Sequence, residues 1–294
     1  MFPAAFDYLC PRSTDEALAA LAEHGSDARV LAGGQSLIPA MRFRLAKPAV
    51  LVDINRIAEL SYIREIGGEL RLGAGARDHG LEVSPEMRSG RYPMLADVCA
   101  VVADPVVRQM GTVVGSLCHN DPSGDWPVAA LAGNASVVVR GKGGERVVPI
   151  GEFLVDSYTT AVADGEIALE VRFPTPGPRT AGAYLKIERK VGDFATAAAA
   201  ARVTLAEDGT VASASIALGA AGPCGFRVAE AERALTGAKP SNAAIAAAAD
   251  AARSAADPMA DTRGTVAFKK QMAGVLVERA LRKAFARLGV EDIR

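Results

Sequence analysis

The chain has 294 residues, 33 Lys plus Arg against 34 Asp plus Glu, and 50% hydrophobic content, so a sizeable core and two or three domains are expected. The near-zero net charge supplies no basic field and excludes electrostatic capture of nucleic acid or anionic lipid as a main role. The scattered cysteines Cys10, Cys99, Cys118 and Cys224 and histidines His24, His79 and His119 show no C-x-x-C pair or metal-ligand spacing, so reduced thiols are expected and no metal site.

Met1 to Tyr8 lacks a basic stretch followed by an apolar run, so no signal peptide is expected and a cytoplasmic location is. Ser13, with Glu16 three residues on, forms a capping box ahead of a helix that Gly25 ends. Ala28 to Ala32 reads as a short buried strand running into Gly33-Gly34, Pro39 to Leu45 as a second helix, and Val50 to Ile54 as a strand completing a βαβ-like unit. From about Tyr62 the pattern becomes alternating strands, Ile63 to Ile66 and Glu69 to Leu72, hinged at Gly67-Gly68. A helix around Met94 to Ala103, a turn at Gly111 to Ser116, a helix from Asp125, a hairpin from Ser136 to Val148 and a closing strand from Ile167 to Phe173 follow. Pro174 to Pro178 is a cluster of breakers and reads as a linker. After it come strands at Ala183 to Ile187, Ala199 to Leu205 and Val211 to Leu218, then Ala-rich helices. The last places Phe268, Met272, Val275, Leu276, Leu281 and Phe285 on one apolar stripe, read as core packing. The most apolar run, Phe194 to Ala201, is far shorter than the roughly 20 residues that span a bilayer.

Two turns carry the functional signal. In Ala32-Gly33-Gly34-Gln35-Ser36, a strand ends in paired glycines followed by a hydroxyl residue. Glycine reaches positive φ, lets successive backbone N–H groups converge on an anion and permits close approach, while Ser36 adds a donor. Taken alone, the pair describes a tight turn as well as a diphosphate cradle. A second turn of related chemistry, Gly111-Thr112-Val113-Val114-Gly115-Ser116, could grip the same ligand from the other side. Neither has G-x-G-x-x-G spacing, and Gly73-Ala74-Gly75-Ala76 opens no helix with a matching acidic residue, so a Rossmann site is disfavoured.

With their surroundings, these turns resemble those of the medium flavoprotein subunit of the carbon monoxide dehydrogenase and xanthine dehydrogenase family, where A-G-G-x-S and T-x-G-G-[NS] turns bind FAD. The likeness extends through Arg44 to Pro48, Val52-Asp53-Ile54, Val107-Arg108, Asp121-Pro122, Arg189 to Ala195, Ala217-Leu218-Gly219 and Arg263-Gly264, nearly the whole chain. It implies an α+β chain. A two-subdomain FAD-binding fold of the PCMH (vanillyl-alcohol-oxidase-like) type would occupy residues 1–175, with subdomains at about 1–58 and 59–175. A C-terminal α+β domain with a small antiparallel sheet and helices would occupy 179–294.

By position, the resemblance assigns Arg29, Val30, Leu31, Ala32, Gly33, Gly34, Gln35 and Ser36 with Thr112, Val114, Gly115 and Ser116 to the FAD diphosphate. Asp125 would accept from the adenosine ribose, Lys186 would stand near the flavin or its phosphates, Phe194 would pack near the isoalloxazine ring, and Val102 and Ile167 would lie near the adenine. Val114 stands where the family usually has glycine, and Ser116 where Asn is commoner. Valine is tolerated there in an ordinary backbone conformation and weakens binding if the turn requires positive φ.

The resemblance further implies a relay. A large subunit with a molybdopterin cofactor oxidises substrate, a small subunit passes electrons through [2Fe–2S] clusters, and this chain's FAD delivers them to an external acceptor, the whole forming a dimer of heterotrimers. This chain shows no Ser/His/Asp array or paired catalytic carboxylates, so no catalytic residue is assigned. The alternatives are a stand-alone FAD oxidoreductase of the same fold and a cofactor-free scaffold.

Overall fold

A computed structural model describes residues 2–290 and 293; Met1 and Arg294, the outer bounds of the two expected domains, lie outside the described residues. The chain opens with β1 (Asp7–Leu9), α1 (Thr14–His24), β2 (Ala28–Leu31), α2 (Leu37–Arg42) and β3 (Val50–Asp53). The Ser13 side chain accepts from the Glu16 N–H, and Gly25 at φ 52° closes α1. β1 and β2 both pair in parallel with β3, giving a three-stranded sheet in the order β1-β3-β2. Two sequence expectations shift here. The second helix begins and ends earlier than Pro39 to Leu45, and the three-residue β1 had not been anticipated.

Next come β4 (Ile63–Ile66), β5 (Glu69–Gly73), α3 (Asp78–Glu82), α4 (Pro85–Arg88), α5 (Pro93–Val101), α6 (Pro105–Arg108), α7 (Val113–His119) and α8 (Asp125–Ala132). β6 (Ser136–Gly141), β7 (Gly144–Pro149), α9 (Ile150–Phe153), β8 (Leu154–Asp156), β9 (Thr159–Thr160) and β10 (Ile167–Pro174) follow. The β4–β5 hairpin turns on Gly67 and Gly68, both at positive φ, as the paired glycines require. β10, the expected closing strand, is the last of this sheet in the chain and lies at its centre, in the order β4-β5-β10-β6-β7. It pairs antiparallel with β5 on one side and β6 on the other, and Val171 and Phe173 on one of its faces are fully buried.

After the proline-rich link, β11 (Thr180–Ile187), β12 (Ala197–Leu205), β13 (Val211–Gly219) and β14 (Phe226–Arg227) form an antiparallel sheet in chain order. Helices α10 (Ala229–Leu235), α11 (Asn242–Ala255) and α12 (Val266–Arg287) complete the chain. Alternation along β12 explains its alanine run: Ala198 and Ala200 join the large core of the preceding half, while Ala197, Ala199, Ala201 and Val203 join the core made with α10 to α12. Both faces are covered, so side chains at every position must be small. On α12, Leu276, Leu281 and Phe285 are buried, but Phe268 is exposed and Val275 only half-buried. The stripe is completed instead by Ala273, Val277, Ala280 and Ala284. Among the described residues no helix is long and apolar enough to cross a membrane.

Candidate functional site

β2 delivers the first glycine loop. Its last residue pairs with Asp53, the Ile54 N–H donates to the Leu31 carbonyl, and the strand then releases Ala32 to Ser36. Gly34 adopts φ +71°, which turns the chain back into α2. Among the described residues, the N–H groups of Gly34, Gln35 and Ser36 have no intramolecular acceptor, and the Ser36 hydroxyl has no partner. Three consecutive amides without partners, on half-buried Gly34 and Ser36 and exposed Gln35, are an anion-binding arrangement.

The second loop differs from its sequence reading. Gly111 to Ser116 is the start of a helix rather than a turn: Thr112 in extended conformation (φ −129°) caps α7, its Oγ1 accepting from the Gly115 N–H at 3.1 Å. The Ser116 N–H closes the first helical bond on the Thr112 carbonyl at 3.0 Å. Val114 is therefore helical, with its side chain buried in the large core, and no positive φ is demanded of it. Among the described residues, the Val113 and Val114 N–H groups have no intramolecular acceptor, as at any helix start.

The two loops touch. A Cβ on Gly33 would collide with the Met110 carbonyl oxygen and lie 2.9 Å from the Gly111 Cα, so only glycine allows this approach. Residues 77 and 78 brace the contact: Arg77 bridges Thr112, the Asp78 N–H donates to the Gly111 carbonyl at 2.9 Å, and the Arg77 guanidinium donates to the Met110 carbonyl. Beneath the second loop, the Trp126 indole N–H donates to Asp78 Oδ1 at 2.9 Å. Burial raises the Asp78 carboxyl to about 6, against the lowering effects of Trp126 and Arg108.

Asp125, the residue before Trp126, is buried, and both its oxygens are engaged within the chain. Oδ1 accepts from the Tyr184 hydroxyl and Oδ2 from Lys186 Nζ at 3.2 Å. Lys186 also meets Glu188 at 3.1 Å and the Asp193 carbonyl at 2.9 Å, so its buried ammonium is compensated on three sides. Burial, with a smaller contribution from the Glu188 charge, raises Asp125, and Lys186 and Tyr184 oppose that rise. The loop carrying Phe194 packs on the Ala103–Asp104 turn through Gly192 at φ +80°. Burial tends to raise the Asp193 carboxyl, but Arg263, Arg189 and the Phe194 N–H bring it down to about 2. Phe194 itself is half exposed.

Other expected residues fall outside this cluster. Arg29 lies at the opposite end of β2, with its guanidinium on the Ser26 and Ala28 carbonyls at 2.9 and 2.7 Å. Val30 and Leu31 are half-buried strand residues, and Val102 and Ile167 are buried in the large core rather than presented on an open wall. Sequence reasoning missed Asn55, Arg77, Asp78 and Trp126. The one local signal was Asp53-Ile54-Asn55, where the Asp53 side chain accepts from the Asn55 N–H at 2.8 Å in an Asx-type turn.

Comparison with known proteins places these features in context. Residues 4–176 match the family described as FAD binding domain in molybdopterin dehydrogenase, and residues 182–284 match the CO dehydrogenase flavoprotein C-terminal domain. The carbon monoxide dehydrogenase medium chain of Hydrogenophaga pseudoflava is 41% identical over 98% of this chain and 99% of that protein. The 6-hydroxypseudooxynicotine dehydrogenase complex subunit alpha of Paenarthrobacter nicotinovorans is 38% identical over 98% of this chain and 97% of its own length. A solved structure of the H. pseudoflava carbon monoxide dehydrogenase lacking the Mo-pyranopterin moiety superposes with a TM-score of 0.94 at 42% identity, covering 98% of this chain and 99% of that one.

Proposed function

Because this chain belongs to the FAD-binding medium subunits of the molybdopterin dehydrogenase family, we propose that it is the electron-transfer subunit of a molybdenum hydroxylase complex. It receives electrons from [2Fe–2S] clusters of a small partner subunit and passes them to an external acceptor. A large partner holds the molybdopterin cofactor and acts on the organic substrate, in a cytoplasmic dimer of heterotrimers. FAD supplies, when bound, a centre that exchanges electrons singly or in pairs. FAD-binding and C-terminal units at 1–175 and 179–294 fit this reading.

The observation that carries it is the meeting of the two loops at Gly33 and Met110, with unpartnered Gly34, Gln35 and Ser36 N–H groups beside it. These residues fit a diphosphate. The amides and the Ser36 hydroxyl donate to it, Gly33 keeps the loops in contact, and the start of α7 adds the Val113 and Val114 N–H groups. Asp125 and Lys186, each engaged inside the chain, hold the 186–195 segment against the start of α8, and the half-exposed Phe194 then offers a ring face on that segment.

The names of the relatives refer to different substrates, carbon monoxide and 6-hydroxypseudooxynicotine, which accords with substrate choice residing in a partner. The test is purification with and without partners. The full chain is expected to be yellow, with one FAD per chain, and to leave organic substrates unoxidised until the molybdenum and iron–sulfur subunits are added. Direct bleaching of its flavin by NADH or an organic substrate in the isolated chain would favour a stand-alone oxidoreductase.

A further inference from the structure

We propose that Arg77, acting with Asn55, is a positioning residue that fixes the gap between the two loops and thereby sets affinity for the diphosphate half of FAD; this rests on the cradle reading above. Residues 77 and 78 are joined to the second loop through their backbone. The Arg77 side chain then turns back toward the first. One terminal nitrogen donates to the Met110 carbonyl and the other to Asn55 Oδ1 at 2.6 Å, while Asn55 Nδ2 donates to the Ala32 carbonyl at 2.9 Å. Asn55 is held in turn by Asp53, whose Oδ1 accepts from the Asn55 amide side chain at 2.6 Å and whose Oδ2 accepts from the Tyr8 hydroxyl. A continuous run of donors and acceptors thus leads from β1 to the second loop, and the guanidinium is the member that crosses between the loops.

Arginine suits this position because its planar fork addresses two acceptors in fixed directions, whereas lysine carries a single nitrogen. The Met110 carbonyl stands against Gly33, beside the unpartnered amides, and an unmet lone pair there would oppose an anion. Arg77 satisfies that oxygen and leaves positive charge next to the cradle. Burial lowers its pKa, and Asp53 and Asp78 act against that lowering. Donors on two loops grip one anion only when their spacing is held within hydrogen-bonding tolerance.

The test uses the full chain, freed of FAD and titrated with FAD and, separately, with ADP as a probe of the diphosphate half. Urea unfolding of each apoprotein is measured alongside. Arg77→Met and Asn55→Ala are each expected to raise both Kd values by about 10- to 100-fold. Arg77→Lys should recover less than half of that loss on a logarithmic scale while matching the urea midpoint of Arg77→Met. The double variant should bind no more weakly than Arg77→Met, because both changes break one tie. Binding of FAD and ADP by Arg77→Met within threefold of the unaltered chain, or additive losses in the double variant, would overturn the proposal. If Arg77→Met does not fold, Asn55→Ala, which leaves the guanidinium on Met110, decides by the same criterion. Gly33→Val separates the two readings. Normal FAD binding by that variant sinks the cradle itself, whereas loss there with unchanged binding in Arg77→Met sinks only the strap.

Discussion

The two glycine loops carry similar residues on different backbones. The first, Gly33 to Ser36, is irregular: Gly34 sits at φ +71°, and its run of amides is left open. The second is the capped start of a helix, in which Thr112 takes the Gly115 N–H into the chain's own hydrogen bonding. The first loop thus needs glycine for its conformation and contacts, whereas the second presents amides through regular geometry and tolerates a branched side chain where glycine was expected. Val114 is the case in point: it adds to the core, and its N–H has no acceptor among the described residues.

Substitutions sharpen that contrast. The largest effect is expected from Gly33→Val, whose side chain must displace the Met110 carbonyl. FAD titration should show a loss of at least about 100-fold, reflecting several missing hydrogen bonds at once. Val114→Gly addresses the other loop. It should lower stability in urea by about 3 to 4 kcal/mol, from a lost buried side chain and added backbone freedom, while FAD affinity stays within about threefold of the unaltered chain. A large gain in affinity would mean that the second loop does need glycine.

The Asp78 carboxyl beneath the second loop yields a pH signature. Folded, it keeps its proton up to about pH 6; unfolded, it loses it near the ordinary value of 3.8. Native stability therefore falls as pH rises from about 4 to about 6, by about 3 kcal/mol from this group. Asp78→Asn preserves an acceptor for Trp126 and removes that slope, so the stability difference between the two proteins should change across this window. Parallel curves would show that Asp78 ionises normally in the fold. The smallest effect belongs to Thr112→Val, which keeps shape but deletes the cap on Gly115 and should cost about 1 kcal/mol in the same unfolding experiment.

Features governed by neighbouring residues were legible in the sequence. Ser13 with Glu16 marked α1, Gly67-Gly68 marked the β4–β5 hairpin, and Pro174 to Pro178 marked the break between β10 and β11. Features that depend on distant partners were not. The Arg77 to Asn55 contact spans 22 residues and the Trp126 to Asp78 contact 48, and neither leaves a periodic trace. β1 is too short at three residues to alternate visibly, and the central place of β10 is a matter of sheet order rather than of its own composition. In the second loop, the glycines suggested a turn, although Thr112 followed three residues later by Gly115 also suits an N-cap. The resemblance supplied FAD as the ligand, while contact between the loops emerged only in three dimensions.

The alanine run of β12 bears on how this chain can be taken apart. Ala198 and Ala200 form one wall of the core that encloses α5 and α8, so a fragment cut at the proline-rich link would bare the apolar surface they cover and is expected to aggregate. Grafting the C-terminal half of a relative onto this chain meets the same seam. With a single methyl group per position on that face, a donor strand bearing valine or leucine at 198 or 200 would wedge the halves apart. The two halves are therefore exchangeable only as a matched pair.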